Sequence, residues 1–136
     1  MSDNTKSTAS SIISKTSILE KFKSVRESTK SLANDMFTIK QEYLGHSLYA
    51  QYAEHIENKF SEDERGLRIV TRSLDLLIKK IEPMDEQIKT EDFEIIRKKF
   101  SELVKTLNGH TRDAERFFKE MSKINKSIKD SLDDEY

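Results

Sequence analysis

Cysteine, tryptophan and the residues that interrupt helices are absent from this chain or scarce in it. Its 136 residues include no Cys, no Trp, 1 Pro and 3 Gly. The lack of Cys excludes disulfides, thiolate metal sites and cysteine nucleophiles, and it leaves the redox compartment undetermined. Few Gly and Pro, with 36 % charged and 35 % hydrophobic residues, disfavour sheets and loop-rich folds. The composition therefore predicts an all-α protein with one domain.

The chain also has almost no net charge and no long apolar run. Its 24 basic and 25 acidic residues give a net charge of -1, so no global field attracts nucleic acid, and we expect no nucleic-acid partner. No apolar run approaches the length of about twenty residues that spans a membrane. Near the start, Ile12 and Ile13 form an apolar pair that is too short for a signal peptide. We expect a cytoplasmic protein.

The strongest positive signal is an alternation of three-residue and four-residue steps between apolar positions in the last third of the chain. It begins at Phe93 and ends at Ser131, and His110 is the polar exception in its interior. The mean step of about 3.5 residues is typical of the apolar stripe of a coiled coil, which we call a seam. A seam this long predicts one long helix over residues 91–131 that needs a facing surface.

A second seam begins at Ile18 and predicts a first helix over residues 17–60. Ser17 is a suitable N-cap for it, because a serine hydroxyl can accept a hydrogen bond from a free backbone N–H of the first turn. Gly45 lies inside this predicted helix. A glycine there costs about 1 kcal/mol relative to Ala, so we expect it to weaken the helix without ending it.

Between the two long helices the sequence predicts a third, shorter one over residues 62–82. Ser61–Glu64 has the form of a capping box, in which the serine and the glutamate satisfy each other's free backbone N–H groups. Pro83 lacks an N–H and marks the end of this helix. Thr90 is a suitable cap for the last helix.

These elements predict an elongated antiparallel three-helix bundle over residues 17–132 with coiled-coil seams. A flexible Ser/Thr-rich tail is expected at 1–16 and a frayed acidic end at 133–136. Gly109 offers an alternative, since a helix end there would give a four-helix bundle. The seam keeps its phase through Gly109, which favours a continuous helix.

The predicted helix lengths leave parts of both long seams without a cover. A second helix of half the length covers half of each neighbour, so we expect exposed apolar stripes that bind a protein partner or a second copy of the chain. The apolar content also widens around Tyr43–Ile56. The predicted partner-binding residues are Ala114, Phe117, Phe118, Met121, Ile124, Ile128, Leu44, Tyr49 and Tyr52.

The histidines suggest one further hypothesis, a metal or small-molecule site between helices. Glu42 precedes His46 by four residues, and His110 lies on the other long seam. However, the Glu-x-x-His spacing of helical di-metal sites and the His-Glu-x-x-His motif are both absent. We therefore interpret the histidines as polar groups within packed layers, and we predict no catalytic, cofactor-binding or metal-binding residues.

The resulting prediction is a non-enzymatic helical interaction protein, such as an adaptor, a chaperone or a complex subunit. One alternative is a module that binds a membrane surface through basic stretches such as Lys79-Lys80 and Arg97-Lys98-Lys99. Against it, acidic side chains lie within one turn of these stretches and suit weak ion pairs. The other alternative is the metal or small-molecule bundle.

Overall fold

The computed structural model describes residues 13–134, which form a bundle of three α-helices. The elements are α1 (Lys15–Leu44), a 3-10 helix (Ser47–Tyr52), α2 (Ala53–Ile81) and α3 (Thr90–Asp134). The helices pack against one another, and no strand occurs within residues 13–134, so the predicted all-α three-helix bundle is confirmed. Residues 1–12 of the predicted tail and residues 135–136 of the acidic end lie outside the described residues.

Helix α1 begins earlier than predicted because Ser14, and not Ser17, is its N-cap. The Ser14 Oγ accepts a hydrogen bond from the Ser17 N–H at 3.1 Å. The Lys15 N–H donates to the Glu86 carbonyl at 2.7 Å, which ties this end of α1 to the segment before α3. Residues 13–16, which were expected to belong to the tail, are therefore part of the bundle.

The first chain reversal lies at Gly45, so the predicted helix boundaries at 17–60 and 62–82 are wrong. Gly45 is the C-cap of α1, and His46 caps the 3-10 helix that follows. The apolar residues that widen the pattern after Tyr43 are those of the turn, where side chains cover the end of the bundle. A helix of 30 residues, α1, is thus followed by one of 29 residues, α2, and the predicted mismatch between them does not exist.

The predicted capping box at Ser61 lies in the middle of α2. There the Ser61 Oγ donates to Glu57 Oε1 at 3.2 Å and accepts a hydrogen bond from Lys40 Nζ at 3.2 Å. Lys40 belongs to α1 and also pairs with Glu64. The residue types of a cap serve here as polar contacts between two packed helices, and this is why the local motif misled.

Helix α3 agrees with the sequence pattern over its whole length. It starts at Thr90 and runs through Gly109 without a break for 45 residues, about 67 Å at about 1.5 Å per residue. The predicted end of the preceding helix at Pro83 also agrees to within two residues, since α2 ends at Ile81. The four-helix alternative with a break at Gly109 is wrong.

Each end of the bundle has its own apolar core. Near the 3-10 helix, the Phe60 ring of α2 meets the Phe117 ring of α3 edge to face, with centroids 4.9 Å apart. At the opposite end, the Phe22 ring of α1 stacks on the Phe100 ring of α3 at 4.0 Å. Because all three helices contribute to these clusters, burial of their apolar side chains fixes how the helices are arranged.

Candidate functional site

Part of the predicted partner-binding stripe lies in the interior of the bundle. Ala114, Phe117 and Met121 are 4 %, 3 % and 1 % exposed. The first half of α2 covers them, and that half exists because the chain reverses at Gly45 rather than after Phe60. The prediction that these three side chains form an exposed stripe is wrong, and they stabilise the fold instead.

The other predicted partner-binding residues lie around the end of the bundle that the 3-10 helix covers. All of them are half-buried, and all but the last pack against the same core cluster: Phe118, Ile124, Leu44, Tyr49, Tyr52 and Ile128. The Tyr49 hydroxyl donates to Asn125 Oδ1, so the 3-10 helix is joined to α3. These residues close the end of the bundle, and partner binding by them stays a prediction.

The structure gives the seam histidines separate surroundings. The exposed His46 caps the 3-10 helix by accepting the Leu48 N–H at its Nδ1, at 3.3 Å, so its interpretation as a polar group within a packed layer is wrong. His110 contacts Asp63 of α2 instead, as expected for a polar group within a packed layer. Within residues 13–134, no three His, Asp or Glu side chains are grouped as a metal site would need.

Asp63 is a buried carboxylate at the contact between α2 and α3. It is 2 % exposed, its Oδ1 lies 3.1 Å from His110 Nδ1, and its Oδ2 has no hydrogen-bond partner among the described residues. Burial raises the pKa of Asp63 to about 6, the hydrogen bond with His110 opposes the rise, and the nearby carboxyl of Asp113 adds to it. Gly66 leaves room for the His110 ring, which a side chain at that position would overlap.

The most exposed large apolar side chains of α2 and α3 lie on the outer surface shared by these two helices. Leu76 is 67 % exposed, Ile95 is 60 % exposed and Ile69 is 52 % exposed. None of them falls on a seam, so the search for seams missed them. The available signal was the seven-residue spacing of Ile69 and Leu76, which puts both on one face of a helix.

An open groove between α2 and α3 runs past Leu76, and we call it the α2–α3 groove. It has a volume of about 540 Å³, and its lining is Ser73, Leu76, Leu77, Lys80, Lys99, Glu102 and Leu103. Ile95 lies seven residues before Glu102 and Gly109 lies seven residues after it. These three residues therefore share one face of α3. The groove therefore combines three leucines with three charged side chains, Lys80, Lys99 and Glu102.

Gly109, which has no side chain, lies on the same face of α3 as Glu102. A Cβ placed on Gly109 would have no atom of the described residues within 4 Å. A glycine inside a helix costs about 1 kcal/mol relative to Ala, and nothing within the bundle requires its small size. The missing side chain leaves a shallow place where another backbone can approach closely.

Two rows of basic side chains flank the α2–α3 groove. They lie along both helices, and all are exposed: Lys79 and Lys80 on α2, and Lys98, Lys99 and Lys105 on α3. Arg72 lines the groove between α1 and α2 instead. Every ion pair within residues 13–134 involves other basic groups. The expected pairing holds for Arg97, which bonds Glu94 at 2.9 Å, and not for its neighbour Lys98.

Comparisons with protein-family models, with curated proteins and with solved structures find no match to this chain. Of the helices described, none has both the length and the apolar character needed to cross a bilayer.

Proposed function

We propose that this protein is a non-enzymatic interaction module that binds one helix of a partner protein in the α2–α3 groove. The observation that carries the proposal is the exposure of Leu76 in the lining of the groove, with Ile69 and Ile95 exposed one seven-residue step from Leu76 and from Glu102. An amphipathic helix buries its apolar face in such a groove through side chains three, four and seven residues apart. Three large apolar side chains on one surface are also more than isolated exposure accounts for.

The shape of the surface supports a helix as the occupant. The exposed apolar side chains lie beside the α2–α3 groove. A third helix fits between two neighbouring helices by the usual packing of side-chain ridges into grooves. Gly109 adds a point of close approach on the same face. Covering Leu76 and its neighbours would remove from water the apolar area that the bundle leaves exposed, at about 25 cal/mol per Å².

A second copy of the chain is a poor occupant of the same groove. Two copies that met groove to groove would bring basic rows of equal charge together, and like charges that face each other are destabilising. Those rows contain Lys79 and Lys98, neither of which is neutralised by an ion pair among the described residues. The proposal therefore commits to a helix of a different protein.

A designed peptide tests the proposal without knowledge of the natural partner. The probe is an amphipathic helix of roughly 21 residues, or about six turns, with Leu in its seam and uncharged Gln at the flanking positions. The absence of Cys allows a single dye to be attached through Ser73→Cys in the lining of the groove, where its emission reports whether the groove is occupied. Titration of the labelled protein, and fluorescence anisotropy of labelled peptide with unlabelled variants, give the dissociation constants.

The matched variants are Leu76→Glu in the groove and Leu48→Glu on the 3-10 helix, which is 43 % exposed. Burial of a Leu side chain is worth about 1.5 to 3 kcal/mol, so Leu76→Glu should weaken binding by at least about tenfold. Leu48→Glu should leave the affinity within about twofold of the wild type. Equal loss in both variants, or no binding by the wild-type protein, would overturn the proposal.

A further inference from the structure

We infer that the helix bound in the α2–α3 groove carries acidic side chains along both of its flanks. This inference rests on the proposed function, because it names the chemistry of the partner at the same groove. Its evidence is the charge of the side chains in and beside the groove rather than the exposure of apolar side chains. Lys80 and Lys99 are basic residues of the groove lining, against the one acid Glu102.

The basic rows have the geometry of the outer positions of a coiled coil. Lys98 and Lys105 are spaced by seven residues on α3, and Lys79 on α2 lies three residues after Leu76. Since α2 and α3 are antiparallel and adjacent, the two rows run along opposite sides of the groove. In a docked helix, the residues that border the apolar seam would face these rows and set partner choice, as flanking charges do in coiled coils.

Charge elsewhere on the bundle is arranged differently. Between α1 and α2, Arg26 pairs with Asp75 at 2.9 Å and Lys40 pairs with Glu64 at 3.3 Å. Basic groups of α1 that face α2 thus have acids opposite them, whereas the lysines beside the α2–α3 groove have none within ion-pair distance among residues 13–134. The unpaired rows are complementary to acids that come from outside the bundle.

An anionic membrane would also attract basic rows beside apolar residues. Interfacial anchors, however, are apolar side chains that project from a convex surface into the lipid, whereas Leu76 borders a furrow that Ser73 and Leu77 help to line. A flat bilayer cannot enter this furrow or reach the bare backbone at Gly109. The geometry thus favours an acidic helix over a lipid surface.

The experiment compares peptides that have the same Leu seam and differ at the flanks. Glu-flanked, Gln-flanked and Lys-flanked versions are titrated into the full-length protein at about 50 mM and about 500 mM salt, where the Debye lengths are about 14 Å and about 4 Å. The Glu-flanked peptide should bind about tenfold more tightly than the Gln-flanked one at low salt, since several exposed ion pairs add small contributions. High salt should reduce the difference to about twofold. The Lys-flanked peptide should bind most weakly.

Charge reversal on the protein provides the matched control. The double variant Lys98→Glu with Lys105→Glu should lose the preference for Glu-flanked peptide and gain affinity for the Lys-flanked one. Lys21→Glu with Lys23→Glu changes the net charge equally on exposed positions of α1, and it should keep the wild-type order of affinities. A preference that follows net charge in both variants would overturn the inference.

The outcomes separate the inference from the function on which it rests. Equal binding of Glu-flanked and Gln-flanked peptides would overturn the acidic partner and leave the groove as a helix-binding site. Failure of every peptide to bind would overturn both. Cosedimentation with phosphatidylserine-containing vesicles provides the remaining arm: binding that Lys98→Glu with Lys105→Glu abolishes, without any peptide binding, would replace the acidic helix with an anionic membrane.

Discussion

The two grooves that border α2 differ in how their polar and apolar groups are satisfied. On the side of α1, charged side chains find partners across the contact: Arg26 pairs with Asp75, Lys40 pairs with Glu64, and Arg68 donates to the Asn34 amide oxygen. On the side of α3, the half of the contact near Leu76 has exposed apolar side chains instead. One helix thus borders a polar groove on one side and, on the other, a groove whose lining includes an exposed leucine.

This difference reflects what lies opposite α2 on each of its two sides. Polar groups that cross between α1 and α2 satisfy one another, and covering the groove there would bury charged side chains. Exposed apolar groups on the α3 side are stabilised by being covered, and the unpaired charges beside them are stabilised only if the cover brings opposite charges. The open surface begins beyond the Asp63–His110 contact, which joins α2 and α3 in the other half of the bundle.

The largest expected effect comes from two leucines that are two residues apart on α2. Leu74 is fully buried, whereas Leu76 is 67 % exposed. Leu74→Ala should lower the free energy of unfolding by about 2 to 5 kcal/mol, because it removes packed atoms and leaves a cavity. Leu76→Ala should change it by about 0.5 kcal/mol or less. Urea denaturation followed by helical circular dichroism measures both.

The comparison fails if the two leucines cost the same. A loss of about 2 kcal/mol or more for Leu76→Ala would mean that the α2–α3 groove is closed in the isolated protein, and that Leu76 belongs to the core. In that case the basis for a partner at this groove disappears. Leu48→Ala serves as a second exposed reference, since Leu48 is 43 % exposed on the 3-10 helix.

The sequence predicted the helix class, the bundle and nearly the whole of α3, because an apolar seam of this length has no other stable arrangement. It misplaced the first reversal, because the seam alternation continues through Gly45 and disguises the turn. Side chains that cap a bundle, such as Tyr49 and Tyr52, are as apolar as those of a helix interior. The capping-box pattern at Ser61 then supplied a false start.

The candidate site was harder to predict than the fold for a related reason. Seam residues are those that the chain buries within itself. The exposed apolar side chains beside the α2–α3 groove, such as Leu76 and Ile95, do not lie on a seam. The spacing of these residues is visible in the sequence, but whether they border a groove depends on which helices are neighbours in the fold. The error at Gly45 assigned the exposed surface to Met121, which the first half of α2 covers.

The next effect concerns pH and the polar contact that closes the other half of the α2–α3 surface. The pKa of Asp63 is raised from 3.8 to about 6 in the fold, mainly by burial. A carboxyl with a raised folded pKa adds stability that is fully present below the unfolded pKa and is lost as pH rises through about 6. This group should therefore make the protein more stable near pH 4 than near pH 7, by at most about 3 kcal/mol.

Asp63→Asn isolates this contribution from those of other carboxyls. Glu86 has the opposite sign: hydrogen bonds from Thr16 lower its pKa, so its contribution is lost as the pH falls. The measured quantity is the difference in unfolding free energy between wild type and Asp63→Asn, from urea denaturation between about pH 4 and about pH 7.5. Contributions that both proteins share, such as that of Glu86, cancel in this difference. A difference that does not change with pH would show that Asp63 is solvated and that the contact is open.

The smallest effects come from the glycines on the two halves of the α2–α3 contact, and they should have opposite signs. A Cβ at Gly66 would overlap the His110 ring, whereas one at Gly109 would meet nothing within 4 Å. Gly66→Ala gains about 1 kcal/mol of helix propensity but displaces His110 from the buried Asp63, so we expect a net loss of about 1 to 2 kcal/mol. Gly109→Ala keeps the whole propensity gain and should stabilise the protein by about 0.5 to 1 kcal/mol. Thermal unfolding of the two variants shows the signs directly. Because Gly109 lies on the α2–α3 groove, destabilisation by Gly109→Ala would mean that the groove is already filled by the chain itself.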